Sequence, residues 1–183
     1  MIHTLLTSPI GTLAIGVEGH RIRFVTLVDA NDAHANKFIQ QSRQVFAEEQ
    51  PQLMQAVRQL TEYFKGKRKE FSLPIHYRGT AFQKKVWDQL LRIPYGQTKS
   101  YGQLAASLGG KNKARAVGGA AHNNPLLILI PCHRLIGSDG SLTGFGAGID
   151  AKQKLLALEG WKPLPQGQSN SNQEALEEEP QKE

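Results

Sequence analysis

The spacing of hydrophobic residues changes along this chain from a period of two to a helical period, and this change constrains the fold most. Leu13, Ile15 and Val17 alternate with other residues. Ile22 and Phe24 repeat the alternation after a glycine turn. Such alternation is typical of half-buried β-strands. The first part of the chain is therefore predicted to form strands of a sheet.

Two helices are predicted to come after these strands. The second begins at Pro51, a residue favoured in the first turn of a helix, and ends before Gly66. Its apolar face consists of Leu53, Ala56, Val57, Leu60 and Phe64. Residues 71–75 are predicted to return as a strand. Residues 1–79 are therefore predicted to form a small α/β domain, which acts as a structural partner for the C-terminal part of the chain.

A second unit, residues 80–162, is predicted to be mainly helical. Thr80 can cap its first helix, and Ser100 with Gln103 forms a capping box at the start of the next. That second helix stops at two glycines, and Asn112 is predicted to cap a third. Two helices joined by a short glycine turn indicate a winged or helix-turn-helix-like DNA-binding motif.

The third helix of this unit has a basic start and a middle made of small residues. Lys111, Lys113 and Arg115 lie near its start, and residues 118–121 read Gly-Gly-Ala-Ala. The small residues are compatible with close packing on a neighbouring helix and with close approach to DNA, and the pattern leaves both open. A helix that reads bases in the major groove needs long polar side chains, which argues against a transcription factor.

An uninterrupted apolar run over residues 126–130 predicts a buried strand that leads to Cys132. A glycine-rich loop over 137–148 comes next. Asp150 is then predicted to cap a last helix that carries Glu159 at its end. A cysteine after a buried strand is ordinarily a small core residue.

The neighbours of Cys132 favour a chemical role instead. His133 is the next residue, and a histidine can take a thiol proton and leave a nucleophilic thiolate. Glu159 is a candidate to orient that histidine. Adjacent side chains on a strand point to opposite faces, so a direct hydrogen bond between Cys132 and His133 needs an irregular backbone or a bridging water.

The composition and charge of the chain indicate its cellular location and its type of binding partner. The chain holds a single cysteine, which excludes an internal disulfide and a multi-cysteine zinc site. No membrane span or signal peptide is evident, so a cytoplasmic location is expected. Residues 163–183 are predicted to be a disordered acidic tail with five glutamates and one lysine, which leaves 21 basic against 11 acidic residues elsewhere. A basic body favours nucleic acid as the partner.

Several ordered motifs lie between Phe82 and Gly160. Residues 130–134 read Ile-Pro-Cys-His-Arg, and Tyr101 is followed by Gly-Gln-Leu-Ala. The others are Ala-Arg-Ala-Val-Gly-Gly-Ala at 114–120, Asn124-Pro125, Lys152, and Leu-Leu-Ala-Leu-Glu-Gly at 155–160. Together they resemble the O6-alkylguanine-DNA alkyltransferase family, whose active-site motif is similar to residues 130–134.

The resemblance implies irreversible repair of alkylated guanine, and of O4-alkylthymine, in double-stranded DNA. Cys132 would attack the alkyl carbon and keep it as a thioether, so each molecule acts once. His133 would act as a base through a water, held by Glu159. Asn124 would tie the helix-turn-helix to the active-site strand. Arg115 would enter the base stack where the damaged guanine leaves it.

The resemblance also implies a DNA-binding set, a substrate pocket, no cofactor and a monomeric protein. Tyr101 would contact the guanine and the adjoining phosphate. Gly146 stands where some relatives have serine, so recognition of O6 would lack a hydroxyl. The DNA-binding set is Arg115, Tyr101, Lys113, Gly118, Gly119, Ala121 and Arg134. The pocket residues are Phe145, Gly146, Ala147 and Lys152.

Two functions outside direct repair remain as alternatives. One is a binding module like the alkyltransferase-like proteins, which flag damage but lack the acceptor cysteine that stands here as Cys132. The other is a cysteine hydrolase using Cys132, His133 and Glu159. Such a hydrolase turns over many times, so counting turnovers separates it from a single-use acceptor.

Overall fold

The computed structural model describes residues 1–28 and 33–162. Within these residues, the N-terminal half has four strands: β1 (Ile2–Ser8), β2 (Gly11–Glu18), β3 (Arg21–Leu27) and β4 (Arg43–Gln44). They form one sheet in the order β3-β2-β1-β4, antiparallel except for the parallel pair of β1 with β4. The predicted strands are confirmed, but every residue from 13 to 17 is buried. The alternation predicted one buried face, whereas this central strand is covered on both.

Two helices belong to this half, as predicted: α1 (Ala33–Gln40) and α2 (Pro51–Phe64). Pro51 occupies the first position of α2, where its missing N–H leaves no hydrogen bond unmade. Helix α2 packs on β1, β2 and β3 through a buried face. That face consists of Leu53, Ala56, Gln59, Leu60 and Tyr63.

The C-terminal half is mainly helical. Its elements are α3 (Ala81–Leu90), β5 (Lys99–Ser100), α4 (Tyr101–Ser107), α5 (Ala114–His122), β6 (Leu135–Ile136) and α6 (Ile149–Leu158). The predicted caps at Thr80 and Ser100 are confirmed, since each hydroxyl accepts from the N–H three residues on. Helices α4 and α5 pack together as a helix-turn-helix, and the short β5 and β6 pair in parallel. None of the described helices is long and apolar enough to cross a membrane.

The two halves share one hydrophobic core and are joined by backbone hydrogen bonds. Val25 of β3 donates to Pro125 O at 2.9 Å and accepts from Leu127 N at 2.9 Å. Trp87 of α3 is buried and donates to Ala120 O of α5 at 2.9 Å. The sheet therefore supports the segment that leads to Cys132.

Two segments that were predicted to be strands do not form regular strands. Residues 71–75 make only an isolated bridge, Ile75 with Ile22. Residues 126–130 are buried as predicted, but they fold into a tight turn in which Ile130 N donates to Leu126 O at 2.8 Å. Ile128 adopts φ 72° in this turn, a conformation that is strained for a β-branched residue. Local hydrogen bonds replace the ladder of a strand here.

Two predicted caps are also wrong. A 3-10 turn over Lys111–Lys113 precedes α5, so Asn112 lies inside a turn and Lys113 occupies the cap position. Helix α6 begins after Gly148, whose φ of 87° favours glycine, and Asp150 lies in its first turn. The predicted disordered tail, residues 163–183, falls outside the described residues.

Candidate active site and DNA-facing surface

Cys132 lies at the start of a 3-10 turn, Cys132–Arg134, directly after the strained turn at Ile128. Its side chain is buried. The irregular backbone that was predicted as one condition for cooperation between Cys132 and His133 is therefore present. A 3-10 turn separates neighbouring side chains by about 120°, so they need not point to opposite faces.

Asn124 connects the end of α5 to the thiol. Its Nδ2 donates to Ile130 O at 2.8 Å and to Cys132 Sγ at 3.1 Å. Its Oδ1 accepts from Leu126 N at 2.9 Å. The side chain thus spans the turn that carries Cys132 and fixes the sulfur against it.

The thiol of Cys132 is not ionised by its surroundings alone. Burial raises the pKa of Cys132, and the hydrogen bond from Asn124 and the charge of Lys152 oppose this rise only in part. A thiol whose pKa is raised needs a base to become a nucleophile. The candidate base nearest to Cys132 in sequence is His133.

His133 is completely buried, and its Nε2 lies 2.7 Å from Glu159 Oε1. Burial lowers the pKa of His133, and the hydrogen bond with Glu159 offsets this only in part. A neutral ring donates from Nε2 to the carboxylate and keeps a lone pair on Nδ1. That Nδ1 is buried and has no hydrogen-bond partner in the described part of the chain. Over the same residues, no direct hydrogen bond joins Cys132 to His133.

Glu159 is the C-cap residue of α6 and the centre of a buried ionic cluster. Burial alone would raise the pKa of Glu159, but hydrogen bonds from His133 and Arg134 and the positive charge of Arg134 hold it well below its usual range. Arg134 donates from Nε to Oε2 at 2.9 Å and from a terminal nitrogen to Oε1 at 3.0 Å. The carboxylate therefore stays charged beside the neutral imidazole.

The prediction that Arg134 contacts DNA is wrong. Only 6% of Arg134 is exposed, and its third guanidinium contact is to Ile93 O at 2.6 Å. A guanidinium committed to Glu159 and a buried carbonyl cannot reach a phosphate. The sequence motif around Cys132 does not indicate that the side chain of Arg134 points inward.

A cavity adjoins Cys132 and draws its walls from both halves of the molecule. Of the predicted pocket residues, Gly146 and Ala147 line it, whereas Phe145 is buried beside them. Ala121, predicted to contact DNA, is buried and lines this cavity instead, which corrects that assignment. The full lining is Val25, Thr26, Leu27, Ala121, His122, Asn124, Leu127, Cys132, Gly146 and Ala147.

Tyr101 and Lys152 hold the glycine-rich loop near this cavity. The Tyr101 hydroxyl lies 3.0 Å from Thr143 O and 3.1 Å from Gly144 O. Lys152 Nζ donates to Thr143 O at 2.8 Å and lies 5.7 Å from the centre of the Tyr101 ring. Burial lowers the pKa of Lys152 to about 8. Tyr101 and Lys152 thus both donate a hydrogen bond to the carbonyl oxygen of Thr143.

The solvent-facing side of α5 carries Arg115 and His122 beside small residues. Arg115 and Gly119 are exposed, and Gly118 is half-buried. A Cβ atom placed on Gly119 would have no neighbouring atom within 4 Å. Lys113 Nζ donates to Leu108 O at 3.0 Å, which uses one of its three N–H groups on the turn before α5. That this face of α5 contacts DNA stays a prediction.

Two contributions to the site were not predicted. Tyr63 of α2 donates to Glu159 Oε1 at 2.6 Å across 96 residues of sequence. Residues 25–27 of β3 line the cavity at Cys132. Neither has a local sequence motif, because each depends on how the two halves pack.

Comparisons with known proteins agree with this architecture. The family model of the 6-O-methylguanine DNA methyltransferase ribonuclease-like domain matches residues 1–77, and that of the DNA binding domain of the same family matches residues 81–161. The methylated-DNA–protein-cysteine methyltransferase of Mycolicibacterium paratuberculosis is 43% identical over 152 residues, which cover 83% of this chain and 88% of the relative.

Solved structures give the same result. The crystal structure of the O6-methylguanine methyltransferase of Mycobacterium tuberculosis is similar at a TM-score of 0.77 with 39% identity, over 86% of this chain and 92% of that one. A structure of the M. tuberculosis protein in complex with DNA matches at a TM-score of 0.77 with 38% identity, over 87% and 92% of the two chains. The present chain belongs to the 6-O-methylguanine DNA methyltransferase family.

Proposed function

We propose that this chain repairs DNA by transferring the alkyl group of O6-alkylguanine to Cys132, once per molecule. The observation that carries the proposal is the arrangement at Cys132. A buried thiol is fixed by Asn124 beside a cavity, and a neutral His133 backed by Glu159 lies next to it in sequence. This arrangement supplies an acceptor and a base, and the family's name describes the same transfer.

The chemistry balances without an added reagent. The Cys132 thiol gives its proton to His133 through a bridging water, and the sulfur attacks the alkyl carbon of the damaged base. The carbon–oxygen bond breaks, and its electron pair stays on guanine, which takes up the proton that His133 holds. A thioether has no good leaving group, so the acceptor stays blocked.

The surface of α5 is suited to present DNA to this acceptor. A helix face without bulky side chains can enter the minor groove, which is about 6 Å wide. Arg115 is exposed on that helix, and a long cationic side chain can occupy the space of a base that has left the stack. An alkyl group on O6 is shielded inside a duplex, so extrusion of the base is required to bring it to a buried sulfur.

The remaining features of the proposal come from charge and from the relatives. The partner we propose is double-stranded DNA containing alkylated guanine. The M. tuberculosis relative solved in complex with DNA supports DNA as the partner. The excess of basic residues outside 163–183 favours this polyanion. We include O4-alkylthymine as a second substrate, a monomeric active form, and action in the cytoplasm.

Counting turnovers tests the proposal. The full chain is mixed with increasing excess of duplex DNA carrying labelled O6-methylguanine, and the label on protein is measured at completion. Label should reach one methyl per chain and stop. Continued product formation would indicate a cysteine hydrolase, and DNA binding without any transfer would indicate a damage-flagging module.

A further inference from the structure

The carboxylate of Glu159 is bound from both halves of the molecule. From the N-terminal half, the buried Tyr63 hydroxyl on α2 donates to Oε1 at 2.6 Å. From the C-terminal half, His133 Nε2 contacts the same oxygen at 2.7 Å. Tyr63 and His133 therefore share one acceptor atom.

The other contacts of Glu159 are sufficient to hold it in place. Arg134 bonds both carboxylate oxygens, at 2.9 and 3.0 Å, and Gly96 N donates to Oε2 at 3.1 Å. These three hydrogen bonds come from the C-terminal half alone. Loss of the Tyr63 hydroxyl would thus leave the carboxylate anchored but change the charge density on Oε1.

We propose that Tyr63 is a positioning residue of the alkyl-transfer reaction, which acts through Glu159 to limit how tightly His133 holds its proton. The proposal rests on the proposed function, because it concerns the base in that reaction. Because the Tyr63 hydroxyl also donates to Oε1, this oxygen accepts a weaker hydrogen bond from the His133 N–H. The base is then able to pass its proton on to the departing guanine. The N-terminal half thus contributes to the reaction through Glu159.

The charged and titratable groups around Glu159 and His133 determine in which direction the pKa of His133 changes when the Tyr63 hydroxyl is removed. Those facing Glu159 and His133 are Tyr63 and Tyr95, Arg134, Lys152, and the thiol of Cys132. Burial raises the pKa of Tyr63, with the charge of Glu159 adding to the rise, so the hydroxyl remains a donor at every accessible pH. Removing it should raise the pKa of His133, because Oε1 then stabilises the imidazolium more strongly.

The test is the pH profile of single-turnover transfer in the variant Tyr63→Phe, measured from pH 5 to 9 with saturating duplex DNA carrying O6-methylguanine. Phenylalanine keeps the ring and removes only the hydroxyl. The acid limb should move to higher pH, so that transfer falls by about three- to tenfold at the acid end and by less than about twofold on the plateau, as expected for a pKa rise of about 0.5–1. An unmoved limb, or a loss of equal size at every pH, would overturn the proposal.

Tyr95→Phe is the matched control. Its hydroxyl donates to Leu158 O at 3.0 Å, one residue before Glu159, and its ring lies 6.1 Å from that of Tyr63. This variant loses one tyrosine hydroxyl bond to the same helix end without touching the carboxylate. Its acid limb should coincide with that of the wild type, and a shift as large as that of Tyr63→Phe would contradict the proposal.

A double variant keeps the proposal testable if Tyr63→Phe is less stable. Tyr63→Phe added to Glu159→Gln should slow transfer by less than about twofold relative to Glu159→Gln alone, because the carboxylate it acts through is gone. Independent losses that multiply would overturn the proposal. Failure of the wild type to accept a methyl group would instead refute the proposed function, so the two failures are distinct.

Discussion

The acceptor site and the exposed face of α5 are built in opposite ways. Around Cys132, buried polar side chains are connected by short hydrogen bonds, and Glu159 alone accepts five of them. On α5, Arg115 and Gly119 are exposed, and the structure assigns Arg115 no hydrogen bond within the described residues. The first region is preorganised by its own hydrogen bonds, whereas we expect the second to gain its partners when DNA binds. Changes in the first should alter the transfer rate, and changes in the second should alter only reactions with duplex DNA.

The largest effect is expected from Cys132→Ser. A serine hydroxyl is a far weaker nucleophile than a thiol, so alkyl transfer should be lost completely. DNA affinity should stay within about twofold of the wild type, because the side chain is buried and α5 is unchanged. A transfer assay measures the loss of alkyl transfer, and a gel-shift titration measures DNA affinity. A loss of DNA binding in this variant would show that the acceptor site and the α5 face do not act separately.

Glu159→Gln should have the next largest effect. Loss of the charge behind His133 should slow methyl transfer at least about tenfold at pH 7, within the range of general-base effects. Raising the pH should recover part of the loss, because hydroxide then forms thiolate without the base. Stability should also fall by about 3–5 kcal/mol, since Arg134 loses its buried counter-charge.

Glu62→Gln is the matched control for this change. Glu62 pairs with Arg68 at 2.7 Å on the surface, where an ion pair contributes about 0–1 kcal/mol. It should leave both the transfer rate and the melting temperature nearly unchanged. A Glu159→Gln protein that reacts at the wild-type rate from pH 6 to 9 would remove Glu159 from the mechanism.

Arg115→Ala should act only where a base must leave the stack. Repair of duplex DNA should fall by about tenfold or more, while reaction with a free O6-alkylguanine base changes by less than about twofold. Arg58→Ala removes the same charge from an exposed position on α2 and should affect neither substrate. Equal losses on duplex and free base would assign Arg115 to the chemistry rather than to DNA.

Removal of residues 163–183 should have the smallest effect. The segment carries a net charge of −4, so its loss should tighten DNA binding slightly and leave the transfer rate unchanged. The gain should shrink as salt is added, because screening weakens repulsion between charges. A truncated protein that binds DNA more weakly at low salt would show that the segment aids binding.

Local features of the fold could be predicted from sequence where a local rule governs them. The caps at Thr80 and Ser100 depend on residues three apart, and Pro51 marked the start of α2. The tight turn over residues 126–130 was predicted as a strand, because an apolar run reports burial and not backbone shape.

The site could be predicted only where a motif marked it. The motif at Cys132 and the position of Glu159 predicted an acceptor, a base and a carboxylate, and the structure places His133 Nε2 2.7 Å from Glu159 Oε1. The inward turn of Arg134 and the contact from Tyr63 could not be predicted, because both depend on packing between distant segments. Ala121 was assigned to DNA for its small size, a property that also suits the buried wall it forms.

The most direct test of single-use transfer to Cys132 is the intact mass of the full chain after reaction with duplex DNA containing O6-methylguanine, combined with peptide mapping. The proposed chemistry predicts a gain of one methyl group per chain, located on Cys132, with no gain for an unmodified duplex. An unchanged mass after the DNA has been repaired, or a methyl group on any other residue, would contradict it.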